Sequence, residues 1–169
     1  MTYQRFEDLP VWNAAIELAE GCEDFLSAAK NRISWSKRDQ LERASLSVSN
    51  NIAEGFERGT TNELLSFLYI APGSAGEVRS MLNYFERRPA LRDLKSQISD
   101  LKSKAESCSR QIRGWTDSLQ NSPIRGQRHL NNAERNRHEQ KKKADAFLEK
   151  LAAALPDGHP AKKTPKRPV

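Results

Sequence analysis

The segment VSNNIAEGF, Val48 to Phe56, lies within a longer run that has the spacing of an amphipathic helix. Apolar or small residues recur there at steps of three and four, at Leu41, Ala44, Val48, Ile52 and Gly55. Asn51 and Glu54 border this apolar face, where polar side chains need hydrogen-bond partners. Glycine at position 55 lowers helix propensity by roughly 1 kcal/mol relative to alanine, a cost usually accepted where another backbone comes close. The segment therefore predicts a helix that packs tightly against a neighbour.

A second polar pair follows in the next helical segment, where Ser74 and Glu77 also flank an apolar face. Helices joined by a short connection lie side by side and antiparallel. We therefore predict that Ser74 and Glu77 are the partners of Asn51 and Glu54 in a buried hydrogen-bond network that fixes helix register. A catalytic site is the alternative reading of the same four residues.

Three other segments have the same helical spacing. Their apolar positions are Trp12, Ala15, Ile16, Ala19, Cys22, Leu26 and Ala29 in the first, Leu64, Leu68, Ala71, Ala75, Val78, Leu82 and Phe85 in the third, and Leu91, Leu94, Ile98, Leu101, Ala105, Cys108, Ile112, Trp115 and Leu119 in the fourth. Period-two alternation typical of strands is not evident. The sequence predicts an all-α protein in which residues 1–121 form an antiparallel four-helix bundle.

Local signals mark where these helices begin. Pro10 suits the start of the first helix, and Ser36 is a candidate cap for the second. Thr60 and Glu63 have the spacing of a capping box at the start of the third. The connection between the second and third helices is therefore expected to be very short.

The third helix is apolar on more than one side, because Leu65, Phe67, Tyr69 and Ile70 fall outside its main apolar line. A single four-helix protomer covers mainly one face of each helix, so we infer that another subunit covers the rest. Pro72 is expected to kink this helix, since it removes one backbone hydrogen bond. Gly73 and Gly76 are expected to let a neighbouring backbone approach closely.

Positive charge is concentrated after residue 121. Residues 1–121 contain 16 Lys and Arg against 17 Asp and Glu, whereas residues 122–169 contain 12 against 5. Asn121, Ser122, Pro123 and Gly126 break the helical pattern and mark a domain boundary. We predict a basic C-terminal extension over 122–169, with a linker, one helix at about 132–155 and a disordered Pro- and Lys-rich tail.

Basic side chains are the candidate nucleic-acid contacts. They cluster in the extension and on the outer positions of the fourth helix, at Arg125, Arg128, Arg135, Arg137, Lys141, Lys142, Lys143, Lys102, Lys104, Arg110 and Arg113. Because no aromatic residue interrupts the cluster between 125 and 143, recognition of backbone and shape in structured RNA or DNA is expected, without base stacking. The alternative for this cluster is an ordinary solvated helix face.

The predicted C-terminal helix also has an apolar face, formed by Phe147, Leu148, Leu151 and Leu155. Such a face can dock into the groove of a partner protein. A protein-protein adaptor without nucleic-acid function therefore remains the rival hypothesis.

The residues offer little material for catalysis or cofactor binding. The three histidines, His129, His138 and His159, all lie after residue 121 and none has a cysteine or carboxylate at ligand spacing. Cys22 and Cys108 occupy apolar helical positions and are expected to be buried thiols. We expect no enzymatic activity, no metal and no cofactor.

No run of the chain approaches the roughly 18 apolar residues of a membrane span. The N-terminal residues MTYQRFEDLP lack the layout of a signal peptide. A cytoplasmic protein with no membrane partner is the expectation.

Three motifs together resemble a known family. They are FEDLPVW at Phe6–Trp12, NIAEGF at Asn51–Phe56 and FLYIAPGSAGEV at Phe67–Val78, which includes Gly73, Ser74 and Glu77. Over about residues 5–120 the chain resembles the four-helix-bundle proteins of 23S ribosomal RNA intervening sequences. That family is similar to the accessory variability determinant proteins of diversity-generating retroelements.

The resemblance implies a four-helix protomer that assembles into a barrel-like homopentamer without catalytic activity. In the retroelement branch it implies an accessory subunit acting with a reverse transcriptase and its template RNA, and binding nucleic acid through a basic surface. Two features depart from that pattern: Pro72 replaces a helix former, and residues 1–121 are less basic than the retroelement branch suggests. Whether the chain belongs to the retroelement branch or the intervening-sequence branch is left open.

Overall fold

The computed structural model describes residues 3–121 and 132–154, with the backbone alone at 132–139, 152 and 154. The described α-helices are α1 (Pro10–Ala29), α2 (Trp35–Glu57), α3 (Thr61–Glu86), α4 (Lys95–Gln120) and α5 (Asn132–Ala154). Short 3-10 segments occur at Phe6–Asp8, Lys30–Arg32 and Pro89–Leu94. Since the described residues contain no strand, the all-α prediction is confirmed.

The chain divides into two compact units, Met1–Arg128 and His129–Val169. In the first unit, α1 packs on α2, α2 on α3 and α3 on α4, and α4 packs back on α1. Short connections between consecutive helices give these neighbours the antiparallel, up-and-down arrangement of a four-helix bundle. The second unit contains α5.

The bundle core consists of two groups of buried side chains, one toward each end. Phe25 and Phe85 lie in one group, with their ring centroids 5.6 Å apart. Ile52 and Leu64 lie in the other. Burying one such side chain stabilises the fold by about 1.5–3 kcal/mol.

One part of the predicted core is wrong. Ile16 was assigned to the apolar line of the first helix, but it is only half-buried. Leu18 and Phe25 are fully buried and were not assigned. Because the apolar face of α1 is broader than a single line of steps of three and four, the sequence spacing did not separate these positions.

The helix boundaries follow the local signals only in part. Thr60 caps α3 as predicted, because its hydroxyl accepts a hydrogen bond from the Glu63 N–H at 3.2 Å. The cap position of α2 is Ser34, without a side-chain cap hydrogen bond, so the assignment to Ser36 is wrong. Helix α3 continues through Pro72 without an interruption.

Candidate functional site

The predicted polar network joins α2 to α3 through a residue that the prediction left out. The amide of Asn51 donates to the Ser47 carbonyl at 2.7 Å and to Ser47 Oγ at 3.1 Å. Ser47 Oγ in turn lies 2.9 Å from Ser74 Oγ. All three side chains are half-buried. Asn51 and Ser74 are therefore connected, with Ser47 between them.

Glu54 and Glu77 do not join this chain of hydrogen bonds. Glu54 is exposed and pairs with Arg58, one helical turn further on, at 2.6 Å. Glu77 is also exposed and accepts a hydrogen bond from Gln40 of α2 at 3.0 Å. A glutamate and an arginine four positions apart are neighbours on the surface of one helix and can form an ion pair there. The expected pairing of Glu54 with α3 is therefore corrected.

Gly55 of α2 and the two glycines of α3, Gly73 and Gly76, differ in how closely other residues approach them. A Cβ placed on Gly55 would lie 2.7 Å from the Cβ of Phe67 and 3.3 Å from the Cα of Leu64. No atom would lie within 4 Å of a Cβ at Gly73 or Gly76. The close approach expected at Gly55 occurs, whereas no other helix among the described residues comes within 4 Å of a Cβ at Gly73 or Gly76.

The four basic candidates on α4 differ in whether they already form an ion pair with a glutamate. Lys102 pairs with Glu86 at 2.8 Å, and this hydrogen bond holds the pKa of the Glu86 carboxyl below its usual value. Arg110 pairs with Glu106 at 3.1 Å. Lys104 and Arg113 are exposed and form no ion pair with a described residue.

The basic candidates of the extension are described in part. Lys141, Lys142 and Lys143 are exposed in the middle of α5. Arg135 and Arg137 belong to the same helix, but only their backbone is described. Arg125 and Arg128 lie outside the described residues.

An exposed apolar surface runs along α3. Tyr69 is 60% exposed and Ile70 is 53% exposed. Next to them, a groove of about 410 Å³ between α3 and α4 is lined by Pro72 and Gly73 on one side and by Arg113 on the other. We call the exposed residues Tyr69, Ile70, Gly73 and Gly76 the α3 surface.

Helix α5 has an apolar surface of its own. Phe147 is 64% exposed, Leu148 58% and Leu151 46%. Leu155, the fourth residue of the predicted face, lies outside the described residues.

The sequence analysis did not identify a concentration of positive charge in two of the connections between the bundle helices. Residues 30–38 and 87–95 together hold eight basic residues and one acidic residue. We call these two segments the basic end. A count of charges within each connection reveals these two segments. The total charge over residues 1–121 conceals them, because basic and acidic residues are almost equal in number there.

Reactive and metal-binding groups are scarce in the described part of the chain. Cys22 and Cys108 are buried free thiols, as predicted, and burial raises their pKa values to about 12 and about 11. No group of three His, Cys, Asp or Glu side chains among the described residues could hold a metal ion. Within the same residues, no helix combines the length and the apolar character needed to cross a membrane.

Comparison with known proteins identifies the family. The model of the family described as "23S rRNA-intervening sequence protein" matches residues 7–114, which include α1–α3 and most of α4. No curated protein matches the chain. The matched residues are more than half of the 169 in the sequence. The chain therefore belongs to the 23S rRNA-intervening sequence protein family.

Proposed function

We propose that this chain is a non-enzymatic, homo-oligomeric protein of the cytoplasm that binds structured RNA or DNA. The observation that supports it best is the run of three exposed lysines, Lys141–Lys143, on α5. Consecutive residues are about 100° apart around an α-helix, so the three ammonium groups span roughly 200° of its circumference. Such a helix can contact phosphates on two sides without reading the bases.

Self-association is supported by the α3 surface. Tyr69 and Ile70 are both more than half exposed, and the adjoining glycines leave room for a neighbouring chain. Assembly would gather several extensions on one body, and the effective concentration would then strengthen binding to one long nucleic acid. The resemblance implies a ring-like homopentamer.

We further propose that the chain acts with a reverse transcriptase and its template RNA, as the resemblance to the retroelement branch implies. The genome provides a direct test of this role. A neighbouring reverse transcriptase gene with a repeated variable region supports it, whereas an open reading frame inside a 23S ribosomal RNA gene contradicts it.

Salt dependence tests the nucleic-acid proposal. We expect the full chain to shift a labelled RNA hairpin and a DNA duplex in gels, with affinity that falls steeply as salt rises. Each neutralised phosphate contributes about 0.7–0.9 to the slope of log affinity against log salt. Replacing Lys141, Lys142 and Lys143 by Gln should therefore lower this slope by about 2–3, while replacing them by Arg should preserve it.

Two results would contradict the proposal. Absence of binding at low salt would rule out nucleic acid as the ligand. Equal slopes for the Gln variant and the unmodified chain would remove α5 from the binding surface.

A second candidate function rests on the exposed Phe147, Leu148 and Leu151 of α5, which suit a protein partner's groove. In this adaptor hypothesis, Leu151→Glu abolishes the complex with a purified partner such as the reverse transcriptase, and salt has little effect. Retention of that complex by Leu151→Glu would exclude the adaptor role of this face.

A further inference from the structure

Positive charge is gathered at one end of the four-helix bundle. Residues 30–38 contain Lys30, Arg32, Lys37 and Arg38 and no acidic residue. Residues 87–95 contain Arg87, Arg88, Arg92 and Lys95 with one acidic residue, Asp93. By contrast, residues 54–63 at the other end contain three glutamates and one arginine. The nearly neutral bundle is therefore strongly polarised along its axis.

Arg32 holds the two basic segments together. Its guanidinium donates to the Ala90 carbonyl at 3.0 Å and pairs with Asp93 at 2.6 Å. It also donates to the carbonyls of Ala28 and Ala29, at the end of α1. Two adjoining connections with the same sign of charge are thus fixed side by side.

Three carboxylates near this end are already paired. Asp93 pairs with Arg32, Glu86 with Lys102 and Asp39 with Arg43. Five other basic residues are exposed and form no ion pair with any described residue, namely Lys30, Arg87, Arg88, Arg92 and Lys95. These five are available to an external anion.

Two exposed aromatic side chains, Trp35 and Tyr84, lie in or next to the two basic segments. Trp35, the first residue of α2, is 78% exposed. Tyr84, near the end of α3, is 44% exposed, with Lys37 Nζ 5.9 Å and Arg88 Cζ 5.8 Å from its ring centroid. Exposed aromatic rings on a surface that also carries unpaired cations are typical of proteins that stack bases while neutralising phosphates.

We propose that the basic end binds single-stranded nucleic acid, with bases stacked on Trp35 and Tyr84 and phosphates held by Lys30, Arg87, Arg88, Arg92 and Lys95. This inference rests on the proposed nucleic-acid function and adds a second site to it, on the bundle instead of the extension. A single strand suits the rings better than a duplex, because duplex bases already stack on one another. An anionic membrane is a weaker candidate for the ligand. Membrane insertion needs exposed apolar side chains, and Ile33 and Leu91 of these two connections are buried.

Binding of oligo-deoxythymidine to the full chain, measured by fluorescence anisotropy, tests the inference. Stacking contributes about 1–3 kcal/mol per base, so Trp35→Ala should weaken single-strand binding by about 5-fold to 150-fold. Trp35→Phe keeps a ring and should stay within about 3-fold of the unmodified chain. Because Trp35 is exposed, neither change should alter the thermal unfolding midpoint, which serves as the folding control.

The same anisotropy assay tests the cations and the preference for a single strand, and tryptophan emission tests membrane binding. Replacing Arg87 and Arg88 by Gln should lower the salt slope for the single strand by about 1.4. A hairpin duplex should be bound equally by Trp35→Ala and the unmodified chain. Vesicles containing anionic phospholipid should leave the tryptophan emission of the chain unchanged, and a blue shift that vesicles produce in the unmodified chain but not in Trp35→Phe would overturn the inference.

The outcomes separate this inference from the proposed function. If the full chain binds no nucleic acid, both fail. If it binds and the Lys141–Lys143 variant loses affinity, while Trp35→Ala binds the single strand as tightly as the unmodified chain, only the basic-end site is overturned.

Discussion

Gly55 of α2 and Phe67 of α3 lie so close that a Cβ at position 55 would be 2.7 Å from the Phe67 Cβ. Real Cβ atoms essentially never come that near to another carbon, so one of the two helices would have to move. The neighbouring Leu64 limits that movement, because it is fully buried in the core. The glycine thus sets the distance between α2 and α3.

We predict that Gly55→Ala destabilises the bundle. Overpacking a core contact costs about 1–3 kcal/mol, which should exceed the roughly 1 kcal/mol that alanine gains in helix propensity. Urea unfolding followed by circular dichroism measures the change. Gly114→Ala in α4 is the matched control, because a Cβ there meets no atom within 4 Å, and it should stabilise by about 0.5–1 kcal/mol. A stabilising Gly55→Ala would contradict the packing of α2 on α3.

The Ser47–Ser74 hydrogen bond is the second contact that should be measurable. Each single alanine substitution is expected to cost about 0.5–1.5 kcal/mol of unfolding free energy. Because the two hydroxyls bond each other at 2.9 Å, a double-mutant cycle should show a coupling of about 0.5 kcal/mol or more. Ser103→Ala, an exposed serine bonded within its own helix, is the control and should change stability little. Additive effects at Ser47 and Ser74 would show that their contact is not a stabilising one.

The α3 surface should be required for self-association. Ile70→Glu places a charge where a second subunit would cover an apolar side chain, so association should weaken by about 100-fold or more. Sedimentation velocity at micromolar concentration would show an oligomer for the unmodified chain and a folded monomer for the variant. Leu46→Glu, on an exposed part of α2, makes the same chemical change elsewhere and should leave the oligomer intact. A monomeric unmodified chain would remove the basis of the proposed assembly.

The buried thiols should react slowly with thiol-labelling reagents in the folded chain. They should also make the fold less stable at alkaline pH. Folding raises the pKa of Cys22 from 9.0 to about 12 and that of Cys108 from 9.0 to about 11. The unfolded chain therefore loses these protons first, and the free energy of unfolding should fall as pH rises above 9.0. Cys22→Ala should reduce this fall in urea titrations. Rapid labelling of both thiols in the folded chain near neutral pH would contradict their burial.

Two carboxylates should contribute to acid sensitivity. The hydrogen bond from Arg32 lowers the pKa of Asp93 below 3.8, and that from Lys102 lowers the pKa of Glu86 below 4.5. A lowered pKa gives stability that is present above the unfolded value and is lost as pH falls through the folded one. Asp93→Asn should therefore lower stability at about pH 7 more than at about pH 3, measured by urea unfolding. Equal losses at the two pH values would show that the Asp93 charge contributes nothing.

The sequence spacing predicted the helices well, because burial of an apolar face requires the same steps of three and four in any helix. The same spacing did not choose between Ile16 and Phe25 in α1, because both positions lie within its broad apolar face. The polar network was predicted in outline, with Asn51 and Ser74 connected. Its intermediate, Ser47, was missed because a serine at a half-buried helix position has no distinctive sequence signal.

The sequence by itself determined that this protein is helical, that Gly55 meets a neighbouring backbone, that α3 has more apolar residues than one face can bury, and that positive charge follows residue 121. These properties depend on residue type and periodicity along the chain. Only the tertiary structure decided that the connections 30–38 and 87–95 form one basic end. The reason is that antiparallel packing brings together residues about 60 positions apart, and no local pattern records which connections will meet.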